Sequence, residues 1–125
     1  MSERKLVVNM MRCPDGTFLV SRHRHDFVQY KDADGNYFSL DGGIDYQHLS
    51  GNMENCSIYS DSLHALKREY FVWGNYGKDG RQPLKHILLK DLETDHITAI
   101  ISTQTHLQPH IYDMFIDELK LRLEM

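Results

Sequence analysis

The chain lacks most of the features that would set it outside the ordinary globular classes. No run of about 18 apolar residues occurs in its 125 positions, so no membrane-spanning helix is expected. Residues 1–9 show neither the apolar core nor the small-residue cleavage site of a secretory leader, which predicts a cytoplasmic protein. Cysteine is scarce: Cys13 and Cys56 stand alone with no CxxC pair, a usage that fits a reducing compartment and two unbridged thiols. A basic excess is missing too. Fourteen basic against 18 acidic side chains give a formal charge of −4, which argues against coating long DNA or RNA and leaves open a small anion held by a few local arginines. Catalytic signatures are equally sparse. Ser57, Ser60 and Ser62 lie in no Gly-x-Ser-x-Gly elbow, and no Gly-Lys-Ser/Thr follows Gly74, Gly77 and Gly80. No complete set of nucleophile, base and metal ligands emerges, and no cofactor is implied.

What is present changes character along the chain. Residues 6–11 form a short apolar run with branched side chains, residues 13–17 carry a Pro-Asp-Gly turn, and residues 18–20 return as the second arm of a hairpin. Residues 27–30 and 37–40 flank Asp32, Asp34 and Gly35 and read as another hairpin. The Asp-rich turn lacks the distal glutamate of a calcium loop. Gly42 and Gly43 break the strand, and residues 44–46 are expected to resume pairing beyond a bulge. Residues 56–59 are the next candidate strand. Ser60, Asp61 and Ser62 then offer N-cap side chains to a short helix with Leu63, Leu66 and Tyr70 at helical spacing. Residues 84–89 read as a last strand or an extended connector. Thr94 is expected to cap a helix with Ile97, Ile100 and Ile101 on one face, and Pro109 to open a third with Ile111, Met114, Phe115, Leu119 and Leu123 in its apolar stripe. The expected architecture is α+β in a single domain of residues 1–125. An N-terminal antiparallel sheet, a meander of hairpins with a short connecting helix, occupies about 5–92, and C-terminal α-helices occupy 93–125.

Two clusters carry the chemistry of interest. The first runs from Ser21 to Asp26 and contains Arg22, His23, Arg24 and His25. If extended, it puts the two histidines on one face and the arginines with Asp26 on the other. The histidines form a weak metal pattern without a later ligand set. Guanidinium forks suit a phosphate, and the plain alternative is a polar strand end in which Asp26 pairs an arginine. The second cluster spans 68–81, where Phe71, Trp73 and Tyr76 offer stacking faces and Arg68, Lys78 and Arg81 offer positive charge. Its plain alternative is a glycine-rich turn with the aromatics packed on the sheet. His96, His106 and His110 fall in the helical half, where capping or subunit contact accounts for them.

The segments Arg12 to Thr17, Ser21 to Val28, Tyr37 to Tyr46, Tyr59 to Asp61 and Trp73 to Leu84 together resemble the first Thoeris anti-defence protein family of bacteriophages. The resemblance covers roughly the first two thirds of the chain and thins from Asp91 onward. It implies a sheet followed by two helices, and a binding protein without turnover. Such a protein sequesters glycocyclic ADP-ribose, the signal of a host immune enzyme, and some members also capture cyclic oligonucleotides. It further implies action in the host cytoplasm as a homodimer or a higher homo-oligomer such as a hexamer. The ligand-binding candidates are Arg22, Arg24, Arg68, Phe71, Trp73, Tyr76, Lys78 and Arg81, with no catalytic or metal-ligating residue. Two rivals stand beside this reading: a small metal-dependent phosphodiesterase using His23, His25 and Asp26, and a phage assembly protein whose clusters make subunit contacts.

Overall fold

Strand β1 (Leu6–Arg12) organises the first half, because Val7 to Met11 are all buried, and strands pair along both of its sides. A computed structural model describes residues 4–75, 81 and 83–125. Within it the chain divides into two compact units, one ending at Asp61 and the other beginning at Ser62. In the first unit β2 (Phe18–Ser21) returns antiparallel on β1, with Met10 opposite Val20. The turn between them has Gly16 at φ +94° and Asp15 Oδ1 accepting from the Thr17 amide at 2.9 Å, the conformation that favours glycine there. Strands β6 (Glu54–Asn55) and β7 (Ile58–Tyr59) pair with successive parts of β1. Between them the Ser57 hydroxyl stands in for a ladder partner, accepting from the Met10 amide at 3.0 Å.

A second antiparallel sheet has the order β3 (Val28–Lys31), β4 (Tyr37–Asp41), β5 (His48–Ser50). The β3–β4 hairpin closes as expected from its Asp and Gly: Asp32 Oδ1 accepts from the Asp34 and Asn36 amides at 3.0 and 2.8 Å. Met11 of β1, Leu19 of β2 and Cys13 join Phe38 and Leu40 of β4 in one buried core, with Val28, Tyr30 and Met53 at the margin. Both cysteines are free thiols, and burial pushes that of Cys13 up from its ordinary value.

The expected resumption of pairing at residues 44–46 does not occur. Gly42 and Gly43 take φ of +110° and +53°, and the chain turns through 43–45 with the Asp45 amide donating to the Gly42 carbonyl at 3.0 Å. Pairing resumes at β5, where His48 faces Asp41. A buried polar network fixes that turn. Asn9, without solvent exposure in mid-strand, donates to the Tyr46 and Asp41 carbonyls at 3.1 and 3.3 Å and accepts from Gln47 at 3.2 Å. Buried polar groups are tolerated when satisfied in this way.

The second unit contains α1 (His64–Tyr70), β8 (Val72–Asn75), β9 (Lys85–Leu88), a single 3-10 turn (Leu89–Asp91), α2 (Thr94–Thr103) and α3 (Pro109–Glu124). β8 and β9 pair antiparallel, which makes residues 85–88 a strand. Among the described residues of this unit, Phe71, Leu89, Leu92, Ile97, Ile100, Ile111, Met114 and Phe115 are the buried apolar ones. Pro109 opens α3 as its spacing predicts. Four local expectations change. Leu63, without a side-chain cap, is the N-cap of α1, Glu93 is that of α2, and Leu63, Leu66 and Tyr70 are exposed while Lys67 is buried. Leu123, expected in the α3 stripe, is 87% exposed. Sheets come first and α2 and α3 last, so the fold is α+β, and among the described residues no helix is long and apolar enough to cross a membrane.

Candidate functional site

The inner face of α3 gathers the second sequence cluster. Phe115 and Glu118 lie one turn apart on that face, and both are without solvent exposure. Phe115 receives two aromatic edges: Phe71 at 6.0 Å and Trp73 at 5.6 Å between ring centroids, both near perpendicular, the edge-to-face arrangement favoured by ring quadrupoles. Glu118 receives the cations. Arg68 Nε donates to Oε1 at 2.7 Å and Arg122 Nε to Oε2 at 2.8 Å, while His64 Nε2 lies 3.0 Å from Oε1. Arg122 continues to Thr94 Oγ1 at 3.0 Å and the Leu89 carbonyl at 3.1 Å. One carboxylate therefore ties α1, α3, the 3-10 turn and the start of α2 together. Burial alone would raise the Glu118 carboxyl, but the hydrogen bonds from Arg68, Arg122 and His64 overcome it and hold the group below the usual carboxylate range. When His64 donates through Nε2 its Nδ1 is left an acceptor, and this buried atom has no partner among the described residues.

The candidate residues separate by what already occupies them. Phe71 is 6% exposed, and its contact with Phe115 accounts for the side chain as core. Arg68 is half-buried and meets Glu118 through Nε alone; its terminal Nη atoms have no partner among the described residues. Trp73 is half-buried on β8, next to the exposed Gly74, and Arg81 is exposed. Tyr76 and Lys78 lie outside the described residues. Arg22 and Arg24 belong to the first unit and are both exposed.

The extended reading of residues 22–26 gives way to a turn. The Asp26 amide donates to the His23 carbonyl at 2.9 Å, Asp26 Oδ2 accepts from the Arg22 amide at 2.8 Å, and Ser21 Oγ donates to the Asp26 carbonyl at 2.7 Å. Strand alternation no longer sorts the histidines from the arginines, and the Asp26 carboxylate is engaged by backbone. Among the described residues no group of three His, Cys, Asp or Glu could hold a metal ion. Glu118, Arg122 and His64 were not among the sequence candidates. The available signal was their spacing: Glu118 and Arg122 at i, i+4 continue the Ile111–Phe115 stripe, and His64 and Arg68 repeat that interval on α1.

Comparison of the chain with protein-family models, curated proteins and solved structures returns no match.

Proposed function

We propose that this chain is a phage anti-defence protein that binds a cyclic ADP-ribose-type signal and holds it intact. The reading takes in host cytoplasm as the place of action, and a dimer or larger oligomer as the working form. The observation that carries it is the neighbourhood of Trp73 and Arg68. One face of α3 holds the indole at Phe115 and the guanidinium at Glu118, a single turn apart. Cyclic ADP-ribose presents a purine face and a pyrophosphate, which an indole and a guanidinium suit. A stacked base is worth about 1–3 kcal/mol, and each charge-assisted bond to a phosphate oxygen about 1.5–3 kcal/mol. Arg68 offers its Nη pair while Nε stays on Glu118, so it is oriented before a ligand arrives and loses less freedom on binding. Arg81, exposed beyond β8, adds a second cation in the same unit. The resemblance across residues 73–84 supports the same assignment.

The decisive experiment incubates the purified protein with the cyclic ADP-ribose product of a TIR enzyme, filters it, heats it and reads the released small molecule by mass spectrometry. Intact ligand recovered only after heating is the expected result. Cleaved ligand would replace sequestration with hydrolysis, and no retained ligand would sink the binding assignment.

A further inference from the structure

On the first unit, remote in sequence from the cluster just described, the end of β1 and the start of β6 flank an open pocket of about 330 Å³, bounded by the loop that Gly51 turns at φ +100°. Arg12 and Glu54 are direct cross-strand partners in the β1–β6 register and both line it. Opposite charges at such positions are close enough to pair. Here they do not: neither side chain has an ion pair or hydrogen bond among the described residues, and the Arg12 guanidinium lies 5.9 Å from the centroid of the Phe18 ring, with Nη2 3.9 Å from where a Cβ on Gly16 would stand. Asn52 lines the same pocket. The pocket is therefore lined by one cationic and one anionic residue without an ion pair, and by one amide residue.

We infer that this pocket is a binding site for a small zwitterion of the α-amino acid class, with the ligand's carboxylate on Arg12 and its ammonium on Glu54. The charge pattern selects that class. A ligand of single charge would satisfy one side chain and sit beside a like charge on the other, whereas a zwitterion neutralises both. A planar carboxylate matches the guanidinium fork, and the three N–H donors of an ammonium suit a carboxylate and an amide oxygen. Among the described residues no aromatic side chain lines the pocket, which disfavours a nucleobase.

Calorimetric titration of the full chain with the proteinogenic L-α-amino acids tests this. Their N-acetyl and carboxamide forms, each keeping one charge, and 5′-GMP serve as comparisons. We expect at least one amino acid to bind, its two blocked forms to bind at least about tenfold more weakly, and Arg12→Gln and Glu54→Gln each to weaken it by about tenfold or more with an unchanged melting midpoint. Both positions are exposed on strands, so the variants are expected to fold. Absence of saturable binding up to about 10 mM overturns the inference. So does equal binding of the blocked forms, unaltered affinity in either variant, or a preference for 5′-GMP.

Discussion

Glu118 shows how much one side chain can organise. A carboxylate without exposure is destabilising unless paired, and here Arg68 and Arg122 take separate oxygens while His64 adds a third contact. Glu118→Ala leaves two guanidinium groups facing an empty space, so it should lower unfolding free energy by about 3–5 kcal/mol in urea titrations. The pH dependence follows from the direction of its shift. The folded carboxyl lies below its ordinary value of 4.5. The stabilisation is then fully present above about 4.5 and is lost as pH falls through the folded value. Urea midpoints measured between about pH 7 and about pH 3 should fall steeply for the wild type and less steeply for Glu118→Gln; parallel curves would contradict the assignment. In the sequence Glu118 looked like any surface glutamate on a charged helix. Its partner Arg68 was visible as a cation, but the residue that orients it lies 50 positions away, and no local pattern records that distance.

Among the elements, turns and strands were more legible than helix faces. The 13–17 and 32–36 turns appeared where proline, aspartate and glycine fix the backbone locally. The turn after Gly42 was not legible, because it depends on a partner: the Ser21 hydroxyl accepts from the Gly43 amide at 3.0 Å and Asn9 holds the Tyr46 carbonyl. A Cβ on Gly43 would stand 2.4 Å from the backbone carbon of His23, and its φ of +53° already disfavours most residues. Gly43→Ala is accordingly expected to lower the melting midpoint by several degrees, corresponding to about 1–3 kcal/mol, whereas Gly16→Ala, whose Cβ meets nothing closer than 3.9 Å, should be affected by its φ alone and less. On α1 the 3.6-residue spacing of Leu63, Leu66 and Tyr70 marked a helix correctly but the wrong face. Periodicity reports which residues align, and the carboxylate of α3 turned the His64 and Arg68 side inward instead. Leu63→Ser should thus shift stability by less than about 0.5 kcal/mol, while Phe115→Ala should cost about 3–5 kcal/mol, both read from chemical denaturation.

At the scale of the molecule, the candidate arginines that are exposed divide between the units, Arg22 and Arg24 in the first and Arg81 in the second. If the signal binds at the α3 face, Trp73→Ala and Arg81→Ala should each weaken its capture by about tenfold or more, one lost stack or charged bond apiece. Filtration with mass spectrometry reads this, and wild-type retention in both variants would remove the cluster from the site. The sequence by itself determined the α+β order, the hairpin turns, the start of α3 and the two free thiols. Each of these rests on a property carried by a few consecutive residues: alternation, a glycine or proline dihedral, cysteine spacing. Only the tertiary structure decided that Phe71 is core, that Trp73 and Arg68 share one helix face, and that residues 22–26 turn rather than extend. The first two depend on contacts between residues far apart in the chain, and the cost of burying Glu118, Asn9 and Ser21 is offset in part by the distant Arg68 guanidinium, Tyr46 carbonyl and Gly43 amide. The 22–26 turn is closed by local hydrogen bonds of Asp26 that composition alone did not reveal.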